Sequence, residues 1–180
     1  WDLSLADESA PRQPDAQQLA GWWNDLASDE ADRAYRAMRA LATVPRQATS
    51  FFSERLRPVA AVEPRALAKL IADLDSRQFA VRQQAAEELE VLGSQAVPAL
   101  QEVLKGEPSL EVRQRVEELL DEADRLILSG RALRTWRAIE VLEHLGTPEA
   151  RQLLTNLGKG TPDSRLTREA QAALARCKRR

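Results

Sequence analysis

What most limits the folds open to this chain is an internal repeat. Shifted by 48 residues, Ala37, Leu41, Ala48, Phe52 and Leu56 fall on Ala85, Leu89, Ala96, Leu100 and Leu104. A further 53 residues bring the first two onto Ala138 and Leu142 and the last two onto Leu153 and Leu157; only the Ala96 match slips, with Glu149 at that place and Ala150 one along. At a shift of 54, Val112, Val116, Leu119 and Leu120 meet Leu166, Ala170, Ala173 and Leu174. Within each set the spacing is that of one helix face. A helix pair this small cannot cover its own apolar stripe, so copies must stack and share a seam. The expected fold is an all-α solenoid of about ten short helices in three or so repeats, with small alanines letting helices approach to roughly 8–10 Å. Whether each repeat holds two helices or three is open at this point.

Composition agrees. There are 29 Ala and 26 Leu against three Ile, ten Val and eight aromatics, so strand formers are scarce and an all-β fold is excluded. Helix boundaries follow from local chemistry. Residues 1–4 stand apart, 5–14 (LADESAPRQP) have the composition of a linker, and 15–180 form the helical domain. Leu19, Trp22, Trp23 and Leu26 predict a helix over 15–27. Ser28, Ser76, Ser94 and Ser129 are the expected N-caps of the second, fifth, sixth and eighth helices, and Gly93 is the expected left-handed stop of the fifth. Pro45 ends the second helix or opens the third, 58–63 is a loop, and Pro64 suits the first turn of the fourth. Thr147-Pro148-Glu149 is a strong start for the ninth, with a cap, a proline at N1 and an acid in the first turn. Leu133, Trp136, Ile139, Leu142 and Leu145 are the core stripe expected of the eighth.

Charge and rare residues remove whole classes of function. Lysine and arginine number 26 against 28 acids, a net charge of -2, so no uniform positive field exists to hold a nucleic acid. One cysteine, Cys177, and one histidine, His144, build neither a disulfide framework nor a Cys/His metal cage. No apolar run approaches the ~20 residues of a membrane helix. His144 has no nucleophile and orienting partner in its neighbourhood of sequence and reads as a structural or surface residue; Cys177, among Arg176, Lys178, Arg179 and Arg180, reads as an ordinary free thiol near a terminus. Gly158-Lys159-Gly160-Thr161 lacks the earlier glycine and preceding strand of a phosphate loop and reads as a turn. The acidic groups lack calcium-loop spacing. No catalytic, cofactor-binding or metal-binding residue is therefore expected.

The run LIADLDSRQFAVRQQAAEELEVLGSQAVPALQEVL, from Leu70 to Leu104, resembles a HEAT repeat, with an Asp in the turn, a Val-Arg pair opening the second helix, a Gly stop and a Pro-x-Leu continuation. LIADLDSRQFAVR, LGTPEARQLL at 145–154 and LTREAQAAL at 166–174 are more closely similar to the helical region that follows the propeller in large bacterial WD40-repeat proteins. Over 25–177 the resemblance implies a HEAT/armadillo-like solenoid with a scaffolding or interaction role in a larger chain, and no catalytic residues to carry over. Trp1-Asp2-Leu3-Ser4 fits the tail of a WD40 blade. HEAT arrays stack an Asp/Arg ladder; Asp75, Arg82 and Arg113 fit it, whereas Arg168 comes one place late.

The residues expected to meet a partner are Trp22 and Trp23, which sit about 100° apart on one helix so that one anchors the core and the other is available to a neighbour. With them stand Arg82, Gln83, Arg113 and Gln114, polar residues at the starts of the helices that line one solenoid face. The alternative for these four is that they only bridge layers. The expected partner is a protein or the adjacent propeller; a nucleic-acid-binding HEAT module and a HEAT-repeat enzyme such as a chromophore lyase are the competing readings.

Overall fold

The computed structural model describes residues 13–127 and 130–179; Trp1–Ser4, most of the linker and the Ser129 cap lie outside the described residues. The described chain is all-helical, with no strand, and has the paired short helices of a helical-repeat solenoid. The ten helices are α1 (Ala16–Asp25), α2 (Ala31–Ala42), α3 (Pro45–Arg55), α4 (Pro64–Asp73), α5 (Phe79–Leu92), α6 (Val97–Lys105), α7 (Leu110–Ile127), α8 (Gly130–Leu145), α9 (Pro148–Leu157) and α10 (Arg165–Cys177). None is long and apolar enough to cross a membrane among the described residues.

Local signals account for most boundaries. Asp15 and Gln18 form a reciprocal capping box at the start of α1, with Gln18 N donating to Asp15 Oδ1 at 2.7 Å and Asp15 N to Gln18 Oε1 at 3.1 Å. Pro45, Pro64 and Pro148 occupy the first turns of α3, α4 and α9, where a missing N–H costs nothing. Thr147 Oγ1 accepts from Ala150 N as its cap. Gly93 (φ 53°) and Gly146 (φ 58°) close α5 and α8 in a backbone region that β-carbons disfavour. The serine caps differ from expectation. The N-caps of α2 and α5 are Glu30 and Gln78, and the hydroxyls of Ser28 and Ser76 accept from their N–H groups two residues on, as small turns that precede the helix. Ser94 does not cap α6; it lies in a 3₁₀ turn, Gly93–Gln95, and its hydroxyl accepts from Arg165 N, at the start of α10, at 3.4 Å.

The repeat is a three-helix unit. α1 and α4 begin and end 48 residues apart, as do the starts of α2 and α5, and α3 corresponds to the 3₁₀ turn plus α6. One expectation fails: the stripes do not share a continuous seam. Leu26, Leu41, Phe52, Ile139, Leu142, Leu154 and their neighbours form one core from α1–α3 and α8–α10. Leu74, Ala85, Leu89, Leu100 and Val116 form a second, smaller core within α4–α7. The first copy thus packs on the third, with α2 on α8 and α3 on α9, while the intervening copy closes on α7.

A single repeat position explains much of this. Arg82 in the second copy sends Nη1 to the carbonyl of Ser76 at 2.8 Å, and Arg115 from α7 reaches the carbonyl of Leu74 at 3.3 Å, so the end of α4 is capped from within its own unit. In the first copy the residue matching Arg82 is the buried Ala34. The carbonyls of Leu26 and Ser28, which match Leu74 and Ser76, are free to take Arg137 Nη1 from α8, each at 2.7 Å. Charge-assisted hydrogen bonds to orphan helix-end carbonyls are the strong kind, and here they pull α8 onto α1.

Trp136 also departs from its expected place. It is 45% exposed, because α8 buries Ala138, Ile139, Val141 and Leu142, and the tryptophan ring sits at the edge of that face, with the Arg165 guanidinium 5.2 Å from its centre.

Candidate functional site

The six residues expected to meet a partner are not brought together. Trp23 packs edge-on to Phe51, tilted against Phe52, with the Arg134 guanidinium 5.4 Å from its ring centre, and Trp22 is half-buried against the same core. Arg82 bridges elements: besides the Ser76 carbonyl, its Nε lies 3.5 Å from Glu111 Oε1, a charge contact without hydrogen-bond geometry. Gln83 is exposed and donates its amide to Glu87 at 2.9 Å. Arg113 is half-buried and Gln114 exposed, and neither side chain makes a hydrogen bond or ion pair among the described residues. The Asp/Arg ladder takes a different form from the one expected. Asp75 makes no ion pair among the described residues, and the rung runs from Arg82 to Glu111 to Arg115, not Arg113. The hydrogen bond from Arg115 and the charges of Arg115 and Arg82 hold the Glu111 carboxyl below its ordinary range.

The remaining candidates divide in the same way. Gly160 belongs to packing: a Cβ there would stand 2.5 Å from Thr167 Oγ1 and 2.9 Å from Val59 N, and Thr161 N donates to Val59 O beside it, so the turn after α9 is pinned against the loop after α3. Cys177 is buried and its thiol donates to the Glu143 carbonyl at 3.6 Å. Arg176 makes a two-pronged pair with the Glu143 carboxylate, the closest oxygen at 2.7 Å, and that hydrogen bonding raises the guanidinium above its ordinary value. His144 is exposed beside them with no side-chain hydrogen bond among the described residues. No group of three metal-capable side chains gathers among the described residues.

Two grooves do stand out, and they meet at Trp136, Ile139 and Glu169. One, of about 810 Å³, runs between α2 and α10 across α8, past Tyr35, Met38, Arg39, Glu140, His144 and Arg176. The other, of about 850 Å³, lies between α5 and the α8–α10 pair, with Glu87, Glu90 and Val91 on one side and Arg131, Arg165 and Leu166 on the other. The linings follow the repeat register. Tyr35, Gln83 and Trp136 are matched residues, of which Gln83 alone lines neither groove; so are Arg39, Glu87 and Glu140, then Ala42, Glu90 and Glu143, then Thr43, Val91 and His144. The same helix face of each copy is turned to the grooves, displaying a 58%-exposed Tyr35, the exposed Trp136 and an 87%-exposed Val91. Of the residues expected to meet a partner, Gln83 alone shares this register. The signal that would have found the face was the 48- and 53-residue offsets applied to polar and aromatic positions as well as to the apolar ones.

The second copy carries the recognisable pattern. Residues 81–106 match the PBS lyase HEAT-like repeat. They cover most of α5, the 3₁₀ turn and α6, so the likeness to a HEAT-like repeat rests on one copy. No curated protein matches the chain.

Proposed function

We propose that this chain is a non-catalytic interaction module that holds a protein partner on the face lined by α2, α8 and α5. The observation that carries the reading is the uncovered aromatic and aliphatic strip on one helix face of the copies, with Tyr35 and Trp136 at one repeat register and Val91 at another, along two grooves. Exposed tryptophan and tyrosine in a concavity are the residues that dominate binding at protein interfaces, and a solenoid presents such a face by stacking the same helix of each copy. Chemistry is not what the grooves are equipped for: the thiol nearest His144 is buried and bonded to a carbonyl, and the neighbouring Glu143 is clamped by Arg176. The parent context in this reading is a larger WD40-repeat protein, supported by the Trp1–Ser4 motif and by the similarity of the three runs named above. The adjacent propeller is then one candidate partner.

Selection of displayed peptides on the whole chain tests it. Selected peptides should slow amide exchange in α2, α5 or α8, and Trp136→Ala should weaken them by about tenfold or more, as expected for an interface hot spot. Binding that ignores Trp136→Ala, or a selection that yields no binder, would overturn the reading.

A further inference from the structure

We propose that the groove between α5 and the α8–α10 pair seats an amphipathic segment of another polypeptide, its apolar side on Trp136 and Val91 and its lysine or arginine side chains beside Glu87 and Glu90. This names the partner chemistry for the interaction reading above and rests on it.

The apolar half of the argument comes from Val91. Its matched residues are Thr43 and His144, so polar side chains are compatible with this register, yet the second copy places there a valine that is 87% exposed. Across the groove stand Trp136 and Leu166, and the volume of about 850 Å³ admits several large side chains. A helical segment delivers such anchors at i, i+3 and i+4 into a groove between helices.

The charge half comes from the α5 wall. Glu87 and Glu90 lie one turn apart and line the groove; the Glu87 carboxylate takes only the neutral Gln83 amide, and the Glu90 carboxylate has no hydrogen bond or ion pair among the described residues. Of the two opposing guanidinium groups, one is engaged. Arg165 lies over the Trp136 ring and 4.0 Å from Glu169, which leaves Arg131 as the groove cation without an ion pair among the described residues. The surplus carboxylates favour a cationic occupant and disfavour an acidic one or a nucleic-acid backbone. The groove also joins the two cores, so its occupant touches both α5 and α8.

The test uses the full chain and two dye-labelled synthetic amphipathic peptides with the same leucine/tryptophan stripe, one with lysine and one with glutamate on its polar face, plus a duplex DNA. The lysine peptide should bind about tenfold more tightly than the glutamate peptide, since exposed ion pairs contribute factors of roughly two to five each, and the preference should shrink with salt. Glu87→Gln with Glu90→Gln should cut that preference to about twofold. Trp136→Ala should weaken both peptides, while Glu88→Gln, on α5 outside the groove, should change neither. The bound lysine peptide should slow amide exchange in α5 and α8 together. A preference for the glutamate peptide, tighter binding of the DNA, or a lysine preference that survives the double glutamine variant would overturn the proposal. If neither peptide binds but displayed peptides still depend on Trp136, the interaction face stands and this partner chemistry falls. If Trp136→Ala is silent for displayed peptides, the face itself falls.

Discussion

The α1–α3/α8–α10 unit and the α4–α7 unit are built from the same repeat and finish with different interiors. Where the first copy has Trp22, Trp23, Phe51 and Phe52, the second has Leu70, Ile71, Ala99 and Leu100. The aromatic set, covered by α8 and α9, makes a core in which Phe52, Leu142 and Leu154 are fully buried. The aliphatic set leaves α4 with no fully buried residue, and Phe79 and Leu110 stay exposed at the starts of α5 and α7. The lesson is that repeat register dictates where helices start and which face is apolar, whereas side-chain volume and helix-end hydrogen bonding decide which copies share a core.

The largest effect that would test this contrast comes from truncating one matched pair. Leu41→Ala and Leu89→Ala remove equivalent buried leucines. We expect the first to cost ~3–5 kcal/mol in urea unfolding and the second ~2–3, because a thinly covered core collapses around a void more readily. Equal costs would erase the distinction between the units. Amide exchange should sharpen it, with α4–α7 opening before α1–α3 and α8–α10.

Next in size is the arginine that joins first copy to third. Arg137→Leu strands the Leu26 and Ser28 carbonyls and should cost ~2–3 kcal/mol, read by thermal or urea unfolding, whereas Arg115→Leu, with one longer bond to Leu74, should cost ~1. The reverse order would mean that packing alone brings α8 onto α1.

The smallest effect is a pH dependence confined to the α4–α7 unit. Glu111 has its carboxyl held below the ordinary value by Arg115 and Arg82, so its contribution is complete above the unfolded carboxylate range and is lost as pH falls through the folded value. Glu111→Gln should flatten the acid limb of stability followed by exchange in α5 and α7 and leave that in α2 and α9 unchanged. A matching change in α2 and α9 would show that the units unfold together.

Much of the fold was legible before any tertiary contact was known. Pro64, Thr147, Gly93 and the leucine stripes act within a turn or two of chain, and their signals survive translation into structure. Trp136 was not legible, because a tryptophan at helical spacing looks the same whether it faces a core or a groove until the covering helix is placed. Ser94 and Arg137 were missed for a related reason: their partners, Arg165 N and the carbonyls of Leu26 and Ser28, lie 71, 111 and 109 residues away. Trp22 and Trp23 show what adjacency leaves undecided. Adjacency on a helix predicts that one anchors the core and the other is available to a neighbour; Arg134, Phe51 and Phe52 pack on Trp23, and Trp22 stays half-buried at the core edge.

By itself, then, the amino-acid order determined the all-helical class, the repeat with its 48-residue offset, and the lack of a conventional Cys/His metal or disulfide framework, since these follow from short-range periodicity and residue counts; that the repeat holds three helices came from the structure. Only the tertiary structure decided that the first and third copies close on each other, that the second keeps its own core, and that Tyr35, Trp136 and Val91 on the groove-facing side of α2, α8 and α5 are left uncovered. The reason is competition over distance: an arginine at 82 or an alanine at 34 settles which remote donor reaches a helix end, and no local pattern carries that outcome.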